Sequence, residues 1–193
     1  ISEYCRSNNI KLHLDGARIY MAAAWSGTSI KEYASYFDTI YISLYKYLGA
    51  SAGAVLSGEK KFMEKMPHLV KIHGGTMYGN WANAAMALSR LEGIEDRLKE
   101  SIKRSEQVFD GLNKIPGVKI SSLDNGTNIY SLQLPGTLDV KKLNEVLTKQ
   151  YMIRIPRPND KNLAFITVNE TLLSRDAAYV IDAFTNAIKT AGG

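Results

Sequence analysis

An acidic side chain and an amine close two successive apolar strand patterns in this sequence. Asp15 follows Ile10–Leu14, and Lys46 follows Thr39–Leu44. Ser29–Phe37 between them reads as a helix, so the separation is about that of a βαβ unit. In such a unit the strands run parallel, and both residues leave the sheet at its carboxyl edge, where open α/β folds bind ligands. A carboxylate and an amine facing one crevice suit pyridoxal phosphate (PLP). That cofactor withdraws electrons while its pyridine nitrogen keeps a proton, and a carboxylate holds the proton there. A lysine amine joins it as a Schiff base and gives way to the substrate amine. Gly49 and Gly53 would let backbone approach the cofactor closely. Arg18 would meet its phenolic oxygen or set the local charge. The residues alone leave a plainer reading open. An Asp before Gly is commonly a turn residue, and a loop lysine is commonly solvated.

The elements around this pair suggest two textures. Ala52–Leu56 reads as a third strand, and Glu59–Lys65 as a helix interrupted near Pro67. After the Gly-rich turn His73-Gly74-Gly75, a helical pattern runs from about Asn80 to Lys114. Its apolar positions Leu88, Leu91, Ile94, Leu98, Ile102, Val108, Phe109 and Leu112 keep a 3.6-residue period, and Gly93 is a place for a bend. Beyond Pro116 the pattern becomes α+β. Val118–Ser121, Asn128–Leu134, Met152–Ile155 and Leu163–Val168 read as strands, with a turn signal at Asp124-Asn125-Gly126. Asp139 is placed to cap a helix carrying Val140, Leu143, Val146 and Leu147. Ser174 is placed to cap a last one with Ala177, Ile181, Phe184 and Ile188 inward. The expected organisation is a partial α/β sheet domain over residues 1–95, a linking helix over 96–116 and a small α+β domain over 117–193. So few strands leave an open sheet with bare edges. That, with a chain opening on Ile1, predicts a truncated or processed start.

Composition narrows the classes. The chain has 193 residues, 45% of them hydrophobic and 22% charged, enough for a real core and against wholesale disorder. One cysteine, Cys5, excludes an internal disulfide and a cysteine zinc site; no metal is expected, and a cytoplasmic setting is. No apolar run approaches the roughly 20 residues of a membrane helix; the small-residue stretch Met21–Trp25 is far too short. The net charge of +5 comes from scattered lysines without interleaved aromatics, which argues against nucleic acid.

The stretch from Lys11 to Glu64 resembles the threonine aldolase and β-eliminating lyase family of fold-type-I PLP enzymes. The phrases that carry it are His13-Leu14-Asp15-Gly16-Ala17-Arg18, Lys46-Tyr47-Leu48-Gly49-Ala50 and Gly53-Ala54-Val55-Leu56-Ser57-Gly58. The Gly74-Gly75 turn and the long helix follow in the same order. The resemblance implies part of an aspartate-aminotransferase-type large domain, then a small α+β domain. It implies Lys46 as the Schiff-base lysine, Asp15 on the pyridine nitrogen and Arg18 near the phenolic oxygen. The implied reaction is retro-aldol cleavage of a β-hydroxy-α-amino acid to glycine and an aldehyde, in a homodimer or homotetramer.

The chain departs from that pattern at informative places. Tyr45 and Tyr47 stand where the family has Ser and Gly, which leaves Ser43 as the hydroxyl within reach of the cofactor phosphate. Met77-Tyr78 replaces Met-Arg. Ala164 stands where the family has the arginine for the substrate carboxylate, a role for which Arg157 or Arg154 is then the stand-in. These departures keep other readings open: a β-eliminating lyase, an aminotransferase, or a non-catalytic interaction fragment. The family's N-terminal half holds further cofactor contacts, so this chain alone is expected to be inactive or nearly so.

Overall fold

The computed structural model describes residues 1–124 and 126–192 and divides into two compact units, Ile1–Asp96 and Arg97–Gly193. No helix among the described residues is long and apolar enough to cross a membrane.

The first unit holds α1 (Ser2–Ser7), β1 (His13–Asp15), α2 (Ile19–Ser26), α3 (Ile30–Ser35), β2 (Thr39–Ser43), β3 (Ala54–Gly58), α4 (Lys60–Met63), α5 (Met66–Ile72) and α6 (Trp81–Leu91). Strands β1 and β2 are parallel, as the βαβ spacing predicts, with His13 opposite Thr39 and Asp15 opposite Tyr41. Strand β3 adds antiparallel to β2, from Thr39–Gly58 to Ser43–Ala54. Every residue of β3 is exposed. At the amino edge, Asp38 accepts from Lys11 Nζ at 2.7 Å and from Leu12 N–H at 2.9 Å. These bonds hold its carboxyl below the ordinary carboxylate range, the Lys11 bond contributing most. The tie is therefore fully present above the usual carboxylate pKa and fades as pH falls through the depressed value.

The crossover contains two helices, where the sequence pattern signals one. Helix α3 follows the expected Ser29 start, and Ser29 Oγ accepts from Glu32 N–H at 3.1 Å. Helix α2 is formed by the Met21–Trp25 stretch. Ile19, Met21 and Ala23 are buried, and Gly27 ends the helix at φ 74°. A nearly all-apolar helix has no polar face, so periodicity gives no sign of it. Pro67 breaks the helical pattern as expected, but it also sits in the first turn of α5, where a missing N–H costs nothing.

The second unit is built from most of α7 (Ile94–Leu112), then β4 (Lys119–Ser122), β5 (Ile129–Gln133), α8 (Val140–Tyr151), β6 (Leu163–Thr167), a 3₁₀ turn (Glu170–Ser174) and α9 (Ala177–Gly192). Gly93, at φ 66°, ends the preceding helix, so the single long helix of the sequence reading is two. Their buried faces differ accordingly. Ile94, Leu98, Val108 and Leu112 are buried on α7, while Leu88 on α6 is 70% exposed. The sheet is antiparallel throughout, in the order β4-β5-β6. Its core joins Leu132 and Leu134 to Leu143 and Leu147 of α8 and Ala183, Phe184 and Ala187 of α9.

Three expectations for this unit need correction. Met152–Ile155 is not a strand. Met152 caps α8 in the left-handed conformation (φ 56°), and no partner strand pairs with the residues after it. Ser174 does not cap α9; its hydroxyl donates to the Thr171 carbonyl inside the 3₁₀ turn, and the Asp176 carbonyl accepts the first helical bond from Val180. The fully buried face of α9 is also displaced. Val180, Ala183, Phe184, Ala187 and Ala191 are inside, with Ala177, Ile181 and Ile188 flanking them. Asn125 of the expected Asp124-Asn125-Gly126 turn lies outside the described residues.

Asp139 does cap α8, accepting from Lys141 and Lys142 N–H at 3.0 Å each. Asp139→Ala is expected to cost about 1 kcal/mol, read as a lower urea midpoint with an unchanged m-value.

Candidate functional site

Lys46 lies on a loop held shut at its base. Leu44 N–H donates to the Gly53 carbonyl at 3.0 Å, and Ala50 N–H to the Leu44 carbonyl at 3.1 Å. Leu44, Tyr47, Leu48 and Ala50 are buried, which anchors the loop and leaves Tyr45 and Lys46 exposed. The burial of Tyr47 explains how a large residue fits where the family has glycine: its ring belongs to the core. Lys46 Nζ stands 5.1 Å from the centre of the Tyr45 ring, a cation–π contact that orients the amine.

The far side of the loop is fixed to α6. Asn83 Oδ1 accepts from Ser51 Oγ at 2.9 Å and from Ala52 N–H at 3.3 Å, and Asn83 Nδ2 donates to Asn80 Oδ1 at 2.8 Å. Gly49 and Gly53 both have positive φ, 69° and 97°. The space a Cβ would need at Gly49 is taken by the Arg90 side chain, and at Gly53 by Asn80. The two glycines thus admit the protein's own α6 side chains.

Asp15 ends β1 beside this loop. Its Oδ1 accepts from Ala17 N–H at 3.1 Å, the turn arrangement common to Asp-Gly pairs. Its other oxygen carries no hydrogen bond among the described residues. The two strand ends are joined directly: Ser43 Oγ donates to the Ala17 carbonyl at 3.0 Å, and Ser43 is 2% exposed. Gly16 makes this approach possible, because a Cβ there would stand 2.9 Å from the Tyr41 carbonyl oxygen. Gly16→Ala is therefore expected to force the strand ends apart and to destabilise the protein by about 1–3 kcal/mol. Chemical denaturation measures this, and an unchanged midpoint would refute the close approach.

Two tyrosines link the surroundings of the acid and the amine. A hydrogen bond with Tyr45 is the chief cause of a raised Tyr41 phenol pKa, and burial and the charges of Tyr45 and Asp15 push the same way. Asp15, Tyr41, Tyr45 and Lys46 therefore share one neighbourhood at the carboxyl edge of β1 and β2. Sequence reasoning missed Tyr41. The available signal was its alternation with Ser43 in β2, which puts both on one face of the strand.

The other expected site residues are placed less tightly. Arg18 precedes α2, is exposed, and has no side-chain hydrogen bond or ion pair among the described residues. Gly74 and Gly75 end α5, with Gly75 N–H donating to the Val70 carbonyl at 2.8 Å, a helix stop. In the second unit Ala164 is 2% exposed and opposite Leu132, so an arginine there would be buried in the core. Arg154 and Arg157 are both exposed, and neither has an ion-pair partner among the described residues. No group of three or more His, Cys, Asp or Glu side chains among the described residues could hold a metal.

These donors fit PLP in part. A carboxylate oxygen without a hydrogen bond and an amine held against a tyrosine ring, among the described residues, are the groups its ring and aldehyde require. The hydroxyl hydrogen of Ser43 is committed to Ala17, so it is not available to a phosphate oxygen.

The chain is similar to known proteins. The family model for β-eliminating lyases matches residues 1–135. The chain is 36% identical over 155 residues to the low-specificity L-threonine aldolase of Candida albicans, covering 80% of this chain and 41% of that protein. It is 27% identical over 192 residues to low-specificity L-threonine aldolase 1 of Arabidopsis thaliana, covering 98% and 53%. A crystal structure from Exiguobacterium sp. 255-15, assigned as an aromatic amino acid β-eliminating lyase/threonine aldolase, superposes with a TM-score of 0.82 at 26% identity, covering 96% of this chain and 55% of that one. The chain spans about half the length of the relatives it matches.

Proposed function

The chain belongs to the β-eliminating lyase family, with the α/β fold of part of a fold-type-I PLP-dependent enzyme, and from that premise we propose that the protein containing it is a PLP-dependent carbon–carbon lyase. It cleaves a β-hydroxy-α-amino acid to glycine and an aldehyde. What supports this reading is that Asp15 and Lys46 both follow parallel strands at one sheet edge, with Tyr41 influenced by Asp15 and Tyr45, and Tyr45 against the Lys46 amine. Bound PLP would supply the electron sink for the carbanion left when the Cα–Cβ bond breaks. Lys46 would supply the amine that holds the cofactor and yields to the substrate amine. Asp15 would keep a proton on the ring nitrogen, and Arg18 would stand toward the phenolic oxygen. Ser43 clamps the two strand ends at fixed separation. Arg157 takes the substrate carboxylate in place of the arginine missing at Ala164.

In this reading residues 1–95 are the C-terminal part of the cofactor-binding domain, 96–116 the link and 117–193 the small domain. The enzyme works in the cytoplasm as a homodimer or homotetramer. The alanine at 164 favours one second reading, β-elimination on another amino acid, because the carboxylate clamp is what differs. The test uses the full-length protein loaded with PLP and offered L-threonine, L-allo-threonine and aromatic β-hydroxy amino acids. Glycine release supports aldol cleavage. Keto acid and ammonia without glycine would replace it with elimination, and no product from any of them would sink both.

A further inference from the structure

We propose that the second unit binds a small apolar carboxylate in a cavity of its own. The cavity has a volume of about 520 Å³, within the roughly 300–1,000 Å³ of small-molecule sites. It lies among Val108 and Leu112 of α7, Ile166 of β6, Val168, Leu172 and Phe184 of α9, so most of its surface is hydrocarbon. Its origin is the stretch expected to be a strand. Met152 turns the chain out of α8 with positive φ, and residues 152–156 then run outside the sheet and form one wall.

Charge selects the ligand. Arg154 and Arg175 line the cavity, and no Asp or Glu is among the described residues that do so. Arg154 has no side-chain partner among the described residues. Arg175 has only a long bond to the Ser174 carbonyl, 3.4 Å, and the face of Tyr179 at 5.4 Å. The nearest acid in sequence, Asp176, is 93% exposed and faces Arg104 at 3.7 Å. The polar wall residues Asn169 and Ser174 serve the backbone of the 3₁₀ turn: Asn169 Oδ1 accepts from Thr171 N–H, and Ser174 donates to the Thr171 carbonyl. An apolar chamber with two guanidinium groups and no acid suits an apolar body carrying one carboxylate. Guanidinium recognises that group through paired, charge-assisted hydrogen bonds.

The proposal does not rest on the PLP reading, and its test keeps the two apart. Octanoate is titrated into the full-length protein, followed by calorimetry and by amide chemical shifts, with octan-1-ol and octylamine as controls. Octanoate is expected to bind and to shift amides of residues 152–156 and 166–175, with octanol at least about tenfold weaker and octylamine not binding. The double variant R154Q/R175Q is expected to weaken octanoate about tenfold or more and to leave octanol unchanged. Both arginines are exposed, so an unchanged thermal midpoint shows that the fold is intact. Leu172→Trp, at a half-buried wall position, is expected to cut the binding of both ligands by filling the space. Equal affinity for octanoate and octanol would overturn the proposal, as would an unaffected double variant. Displacement of octanoate by PLP would overturn it too, by placing the probe at Lys46.

Discussion

Replacing Lys46 with alanine in the full-length protein is expected to abolish the borohydride-fixed PLP adduct and to lower lyase turnover by roughly 10³-fold or more. The loop leaves no substitute amine in place. Lys46 is the one lysine between Thr39 and Gly58, and Lys11 stands at the opposite, amino edge of β1 in an ion pair with Asp38. Lys46→Arg separates chemistry from charge. The guanidinium keeps the positive charge beside Tyr45 but forms no Schiff base, so turnover should fall as far as in the alanine variant. Mass spectrometry of the reduced, digested protein reads the adduct directly. A Lys46→Ala protein that still carries it would refute the assignment.

The second large effect is expected at Asp15, where the turn role and the charge role can be told apart. Asn at this position can still accept the Ala17 N–H, so the turn that ends β1 survives. What it loses is the negative charge that would hold a proton on the cofactor's ring nitrogen. Asp15→Asn should therefore keep the wild-type melting temperature while kcat falls about 10²-fold or more. Asp15→Ala removes the turn as well and should lower both. If Asp15→Asn retains kcat within twofold, Asp15 is a turn residue and no more.

The parallel strands that lead to Asp15 and Lys46 were more legible in the sequence than the elements around them, for a physical reason. Strand ends, βαβ spacing and the residue types at Asp15 and Lys46 are local patterns, and the parallel pairing of β1 and β2 follows from them. Asp139 was legible as a cap because capping is decided within one turn. The misses depended on partners far along the chain. The Met152–Ile155 stretch has strand-forming residues, but pairing needs a neighbour, and none of the described strands lies against it. The spaces beside Gly49 and Gly53 were assigned to a cofactor because α6 could not be placed from sequence. Arg90 and Asn80 occupy them instead. Helix α2 was hidden by its own uniform apolarity.

Lys46 and Asp15 are held by closures of different chain lengths. The base of the Lys46 loop closes within residues 44–53, with the Asn83 bonds to Ser51 and Ala52 added from farther along the chain, whereas the end of β1 is tied to β2 through the Ser43–Ala17 contact, across a separation of 26 residues. Short closures lose less chain entropy than long ones, so the lysine's support can assemble early and survive partial unfolding. A destabilised molecule would then release Asp15 before Lys46. Amide exchange should be slower at Ala50 than at Ala17, and under the proposed PLP reading damage to the full-length protein should first show as a cofactor held covalently but no longer electronically tuned.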